Sequence, residues 1–233
     1  MSNALLKMIP LFLLCCSPLS GSGNATSIPQ EQQLIQLQQT YRKFTSLSFK
    51  FVQLTKTELR SRSGKGNGVF LRLKNPDKTG IMRWNYTEPD PQIFLNDGKK
   101  LSIYTQKDHQ LIVTSAAELN NEITYAFFSG KNDLTNEFAI ELPDNRYVFT
   151  LAGTSLHMLR LTPNKPHPQI KAVQIWFDDN FLIHHLILED HFDSTTQLTF
   201  TNIQTNSIDV EDPDRVQAIL KLDIPTDTEI IHR

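Results

Sequence analysis

The sequence predicts a mainly β fold, an antiparallel sheet of consecutive strands preceded by a helix. Three observations predict it. Short alternating segments, most with an aromatic residue on one face, recur from residue 47 to residue 203. Tight-turn signals fall between them, the strongest being Asn96-Asp97-Gly98-Lys99, because Asp-Gly suits positive φ. Ahead of the strands, Leu34, Leu37, Tyr41 and Phe44 recur at helical spacing with glutamines between them.

Each element follows from a local pattern. The apolar stripe predicts a helix over 28–44 that must lie on something. In the first strand, Leu47, Phe49, Phe51 and Gln53 alternate with Ser48, Lys50 and Val52. The glycine-rich run from Arg60 through Ser63-Gly64-Lys65-Gly66-Asn67-Gly68 reads as a flexible loop leading to a strand over 69–73. Met82, Trp84 and Tyr86 share one face of the third strand. Strands over 92–95 and 101–104 flank the Asp-Gly turn, and 110–114 forms another. Residues 115–130 carry alanines and aromatics without alternation, which predicts one or two short helices stopped near Gly130. Strands are then expected over 137–142, 147–151, 156–161, 170–177, 181–190 and 197–203. Turns at Pro143-Asp144-Asn145 and Asp178-Asp179-Asn180 and a proline-rich loop over 164–168 separate several of them. The tail over 208–233 is weakly patterned, with Ile219, Leu222, Ile224 and Ile230 as anchors. Consecutive strands joined by tight turns imply an antiparallel meander.

The amino end has the form of a secretory signal. Lys7 precedes the apolar run Met8 to Cys16, and small polar residues follow. That run falls short of the roughly 20 residues a membrane-spanning helix needs. The expected division is a signal peptide over 1–25 and one domain over 26–233. An alternative is lipidation of Cys16, although Leu14 and Cys15 are bulky where that chemistry expects small residues. Both cysteines lie in the leader, so a processed chain has no thiol and no disulfide. A formal net charge of -2 provides no electrostatic footprint for nucleic acid.

Catalytic and metal-binding patterns are weak. Gly153-Thr154-Ser155-Leu156-His157 lacks the second glycine of a nucleophile elbow. The glycine run lacks the Ser/Thr that follows lysine in a phosphate loop. In His184-His185-Leu186-Ile187-Leu188-Glu189-Asp190-His191, strand alternation sends the two adjacent histidines to opposite faces. The stronger signal is the aromatic series Phe49, Phe51, Phe70, Trp84, Phe94, Tyr104, Trp176 and Phe200 on successive strands. Two readings fit it. One is a solid sheet core. The other is a curved sheet, a half-closed barrel whose apolar inner face is capped by helices and left partly unfilled for acyl chains, each buried methylene contributing about 0.8 kcal/mol.

These residues resemble a known family, the periplasmic outer-membrane lipoprotein carrier proteins (LolA). The likeness is carried by Phe51-x-Gln53, Lys74-Asn75-Pro76, Met82-Arg83-Trp84-Asn85-Tyr86, Pro89-x-x-Gln92, Asp97-Gly98-Lys99-x-Leu101-x-x-Tyr104 and Phe127-Phe128-Ser129-Gly130. Leu186-x-Leu188-x-Asp190 and Phe200-x-Asn202-Ile203 extend it. The resemblance implies an incomplete antiparallel β-barrel with an N-terminal helix and short helices covering its concave apolar face. It implies a non-enzymatic periplasmic chaperone without cofactor or metal, expected as a monomer. Such a carrier takes triacylated lipoproteins from an inner-membrane ABC-type releasing complex to an outer-membrane receptor. The alternatives are that receptor itself, of the same fold and lipidated at Cys16, and a general lipid-binding envelope protein.

On that reading Phe49, Phe51, Phe70, Trp84, Ile93, Leu101, Leu186, Leu188 and Phe200 line the acyl-chain cavity. Asn75, Pro76, Met82 and Arg83 form the gating and docking region, with Met82 meeting the transporter. The family has an arginine where this chain has Asn75, and that arginine latches the helical lid. Arg72, Lys74 or Arg83 are the candidates to replace it.

Overall fold

The structure, a computed structural model, describes residues 28–73, 80–121, 123–129 and 133–233. The expected leader with Cys16, the Lys74, Asn75 and Pro76 positions, and Gly130 lie outside the described residues.

Helix α1 (Gln30–Lys43) leads into strands β1 (Ser46–Lys56), β2 (Ser61–Leu71), β3 (Ile81–Glu88), β4 (Gln92–Asn96), β5 (Lys100–Thr105) and β6 (Gln110–Ser115). A 3₁₀ turn (Ala116–Asn121), α2 (Ile123–Ser129) and α3 (Leu134–Glu137) cross over to β7 (Phe138–Glu141), β8 (His157–Pro163), β9 (Ala172–Phe177), β10 (Ile183–Glu189) and β11 (Thr195–Thr205). Helix α4 (Pro213–Leu220) and β12 (Glu229–His232) complete the described chain. All twelve strands form one open, curved sheet in the order β12-β6-β5-β4-β3-β2-β1-β11-β10-β9-β8-β7. Two meanders are joined where β1 pairs with β11, Phe51 opposite Phe200.

Helices cover the inner face because each carries an apolar stripe that water would penalise. Leu34, Leu37 and Tyr41 of α1, Phe127 and Phe128 of α2, and Leu134 of α3 pack in one cluster with Phe49, Phe51, Phe70 and Phe200 of the sheet. The Tyr41 hydroxyl accepts the Ile183 N–H at 3.0 Å, which ties α1 to β10. Burial pushes that phenol well above its ordinary pKa.

Several expectations need correction. The glycine run is part of β2 and not a loop. A Cβ at Gly68 would stand 2.4 Å from the Phe49 ring, so the missing side chain makes room for an aromatic across the strand. Residues 147–151 form no strand, and only the isolated bridge Leu151–Thr154 occurs there. This segment lies on the outer face of the sheet, where the Phe149 ring stacks on His185 at 4.3 Å and Asp144 exchanges hydrogen bonds with Gln174. The weakly patterned tail contains α4, capped by Asp212 and started by Pro213, and β12. β12 runs parallel to β6, so the sheet is not a pure antiparallel meander.

Tyr104 and Trp176 do not belong to the inner aromatic series. Leu101 and Ile103 on β5 face inward, as do Val173, Ile175 and Phe177 on β9, so alternation turns Tyr104 and Trp176 outward. Trp176 is buried beside Phe149 and His185.

Candidate acyl-chain cavity

The inner face is not filled throughout. A cavity of about 780 Å³ lies between the helical cover and the strands on the β3–β6 side, reaching across to β10 and β11. Its wall is built by strand alternation. Met82, Trp84 and Tyr86 come from β3, Phe94 from β4, Leu101 and Ile103 from β5, and Ile112 and Thr114 from β6. Leu188, Thr196 and Leu198 complete the far side. The cover contributes Glu118, Leu119, Thr124 and Tyr125. Arg233 lies at its edge, its N–H bonded to the Val113 carbonyl at 3.0 Å.

The sequence-predicted lining residues divide into three groups. Trp84, Leu101 and Leu188 stand in the wall. Phe49, Phe51, Phe70, Leu186 and Phe200 are buried in the neighbouring packed cluster and do not reach the cavity. The reason is Phe128, which drops from α2 into the aromatic bowl. Its ring centroid lies 5.3 Å from Phe49, 6.2 Å from Trp84 and 5.4 Å from Phe200. Ile93 is on the wrong face, because its neighbour Phe94 points inward.

The polar side chains of the wall are mostly satisfied. Tyr86 donates its hydroxyl to Gln53 Oε1 at 2.7 Å, and Gln53 Nε2 donates to Thr55 at 3.2 Å. The Trp84 indole N–H is buried near the Tyr86 hydroxyl but meets no acceptor in hydrogen-bond geometry among the described residues. Burial raises the pKa of Tyr86 and of Tyr125, so both phenols remain neutral. Among the described lining residues charge is confined to Glu118 on the cover and Arg233 at the end of β12.

The gating residues are also redistributed. Asn75 and Pro76 lie outside the described residues. Met82 is buried in the cavity wall and not on an outer surface, because it shares the inner face with Trp84. Arg83 points to the opposite face, where Nη1 donates to the carbonyls of Ile219 and Lys221 at 2.9 and 2.6 Å. It fastens the C-terminal end of α4 to the outside of β3 and makes no contact with α1 or α2 among the described residues.

Arg72 makes the lid contact. Its Nε donates to the Phe44 carbonyl at 3.2 Å, and its Nη2 donates to the carbonyls of Tyr41 and Ser129 at 3.2 and 2.8 Å. These carbonyls end α1 and α2, so one guanidinium closes both helix C-termini, where a cation is favoured. Burial lowers the pKa of Arg72, with Tyr125 acting in the opposite direction. Sequence reasoning named Arg72 among three cations without ranking them. The expected strand over 69–73 runs past Arg72, whereas β2 ends at Leu71 and leaves Arg72 at the sheet's end, within reach of the helices.

A sequence model of the family described as outer membrane lipoprotein carrier protein LolA matches residues 42–212. The chain belongs to the LolA family. An outer-membrane lipoprotein carrier protein of Cupriavidus taiwanensis is 27% identical over 162 residues, covering 66% of this chain and 73% of that one. A protein of the same description from Chromobacterium violaceum is 25% identical over 202 residues, 86% of this chain and 90% of that one. Among solved structures, an uncharacterized conserved protein of Thermus thermophilus superposes with a TM-score of 0.50 at 9% identity, covering 88% of this chain and 99% of that one, a likeness of fold alone. LolA-family carriers bind and transport their cargo and do not transform it.

Proposed function

We propose that this protein is a periplasmic carrier that shelters the acyl chains of lipoproteins in the cavity beneath its helices. The observation that carries the reading is the largely apolar 780 Å³ hollow between sheet and helices, in a chain of this family. Each methylene moved from water into such a wall contributes about 0.8 kcal/mol, so an acyl chain has a strong drive to enter. The Arg72 contacts supply the opposing force. A lid held shut over the empty protein competes with cargo, which lets a carrier surrender its load without an energy source. Withdrawal of α2 would remove Phe128 from the bowl and extend the hollow over Phe49 and Phe200, so these two residues meet cargo in the loaded state.

The role assigns donors and acceptors by chemistry. The inner-membrane releasing complex supplies the triacylated lipoprotein, and an outer-membrane receptor takes it. On this reading the leader is cleaved, which frees the exported protein from the inner membrane. Lipidation at Cys16 would make the protein the anchored receptor, and mass spectrometry of the mature amino terminus separates the two. The carrier itself is tested by incubation with a labelled triacylated lipoprotein. A soluble stoichiometric complex with chemically unchanged lipid is expected, and it should be lost in Trp84→Glu with the fold retained. Absence of a complex with the parent protein would sink the reading, and altered lipid would point to an enzyme.

A further inference from the structure

Two apolar side chains stand almost entirely in solvent at one end of the sheet. Leu59 is 89% exposed and Phe192 is 86% exposed. They belong to neighbouring turns. Lys56 on β1 pairs with Thr195 on β11, and Leu59 and Phe192 each lie three residues beyond that pair. Both turns are held in place. Thr57 N–H bonds the Arg60 carbonyl at 2.8 Å, and Arg60 N–H bonds Thr57 Oγ1 at 3.1 Å. Asp190 Oδ1 accepts the N–H of Phe192 and of Ser194, each at 2.8 Å, and Lys171 grips Asp193 at 2.7 Å. The exposed side chains are thus presented by ordered backbone.

Cations flank Leu59 on its own hairpin. Lys56, Arg60 and Arg62 are exposed and make no ion pair among the described residues, against the single acid Glu58 on the same hairpin. Lys171 and Asp193 neutralise each other, and Asp190 is engaged by backbone amides. The same end borders the cavity, since Gln53 and Thr196 of its wall lie three and one residues from the Lys56–Thr195 pair.

We propose that this edge, with Leu59 and Phe192 leading and Lys56, Arg60 and Arg62 around them, docks on a bilayer surface that carries anionic headgroups. Two apolar tips are far smaller than the roughly 1,000 Å² that a stable protein interface needs. They are suited to dipping into the headgroup boundary, where adjacent cations meet lipid phosphates. Docking there sets the cavity's rim against the membrane. The use of that contact for loading or discharging acyl chains rests on the carrier reading, whereas the docking itself does not.

The test is co-sedimentation of the purified protein with vesicles, parent and variants sharing one amino terminus. Binding is expected to vesicles of phosphatidylethanolamine with phosphatidylglycerol and not to phosphatidylcholine alone. It should fade as salt approaches about 1 M, where the screening length is about 3 Å. Leu59→Ser with Phe192→Ser should weaken it at least about tenfold. Lys56→Gln, Arg60→Gln and Arg62→Gln together should weaken it about a hundredfold, each cation being worth about fivefold at such a surface. Leu142→Ser with Val148→Ser, equally exposed but elsewhere, should change nothing. Absence of parent binding to the anionic vesicles, or parent-like binding by both the apolar and the charge variants, would overturn the proposal. Vesicle binding by a protein that accepts no lipoprotein from detergent micelles would discard the carrier reading and leave the docking edge standing.

Discussion

Replacing Arg72 by alanine removes the group that holds α1 and α2 to the end of β2. Three hydrogen bonds from one guanidinium are lost, to the carbonyls of Phe44, Tyr41 and Ser129. A hydrogen bond to a charged group contributes about 1.5–3 kcal/mol. These three share one side chain, and the helix-end carbonyls regain water once the lid lifts. The closed lid should therefore lose about 2–3 kcal/mol in total, which shifts its equilibrium about 30- to 150-fold toward opening. Native-state amide hydrogen exchange reads this directly. Amides of α1 and α2 should exchange faster by that factor, while those of the fully buried strand β9 keep their rates. The closed lid competes with cargo, so lipoprotein affinity should rise in proportion. Unchanged exchange in the lid helices, or equal loosening of β9, would refute the assignment of Arg72 as the latch.

Three further outcomes follow from other parts of the molecule. His185 is buried under Phe149, which lowers its pKa from 6.5 to about 4. Between these values the unfolded chain takes up a proton that the native state refuses, so stability falls as pH drops, by about 2 kcal/mol between pH 7 and pH 5. Urea titrations at the two pH values should show this loss, and His185→Gln should remove that part of it. Gly68→Val should destabilise the sheet by about 1–3 kcal/mol through collision with the Phe49 ring, seen as a lower urea midpoint. Arg83→Ala should free the C-terminal end of α4 from β3, with proteolytic cleavage near Ile219 accelerated and lipoprotein binding kept, because Arg83 faces away from the cavity.

Alternation made much of the sheet readable. Met82, Trp84 and Tyr86 could be set on one face because a strand's period is two. The same rule could not say which face is the inner one where both are covered. Ile93, Tyr104 and Trp176 look like lining residues, but the outer face is covered too, by Phe149 of the 142–156 segment against Trp176 and by the tail pinned through Arg83. The glycines hid the first part of β2, because their role is to admit the Phe49 ring and close backbone from β3, and neither partner is visible locally. The extent of the hollow was hidden as well. It depends on Phe128 filling half of the bowl, a contact between an α2 side chain and strands distant in sequence. Arg72 was legible as a cation in the right region, and only the end of β2 fixed its partners.

The β1–β11 pairing ties the order of synthesis to the order of assembly. A polypeptide emerges amino end first, so Leu47 and Phe51 wait for Thr205 and Phe200 until most of the protein has appeared. Helix α1 can form early, but one half of the bowl that it covers does not yet exist. Such distant pairing slows folding and leaves greasy strand edges open to wrong partners. On the proposed reading, a molecule shaped to keep hydrocarbon out of water begins life needing the same protection, and a helper that shields its first strands should raise its yield.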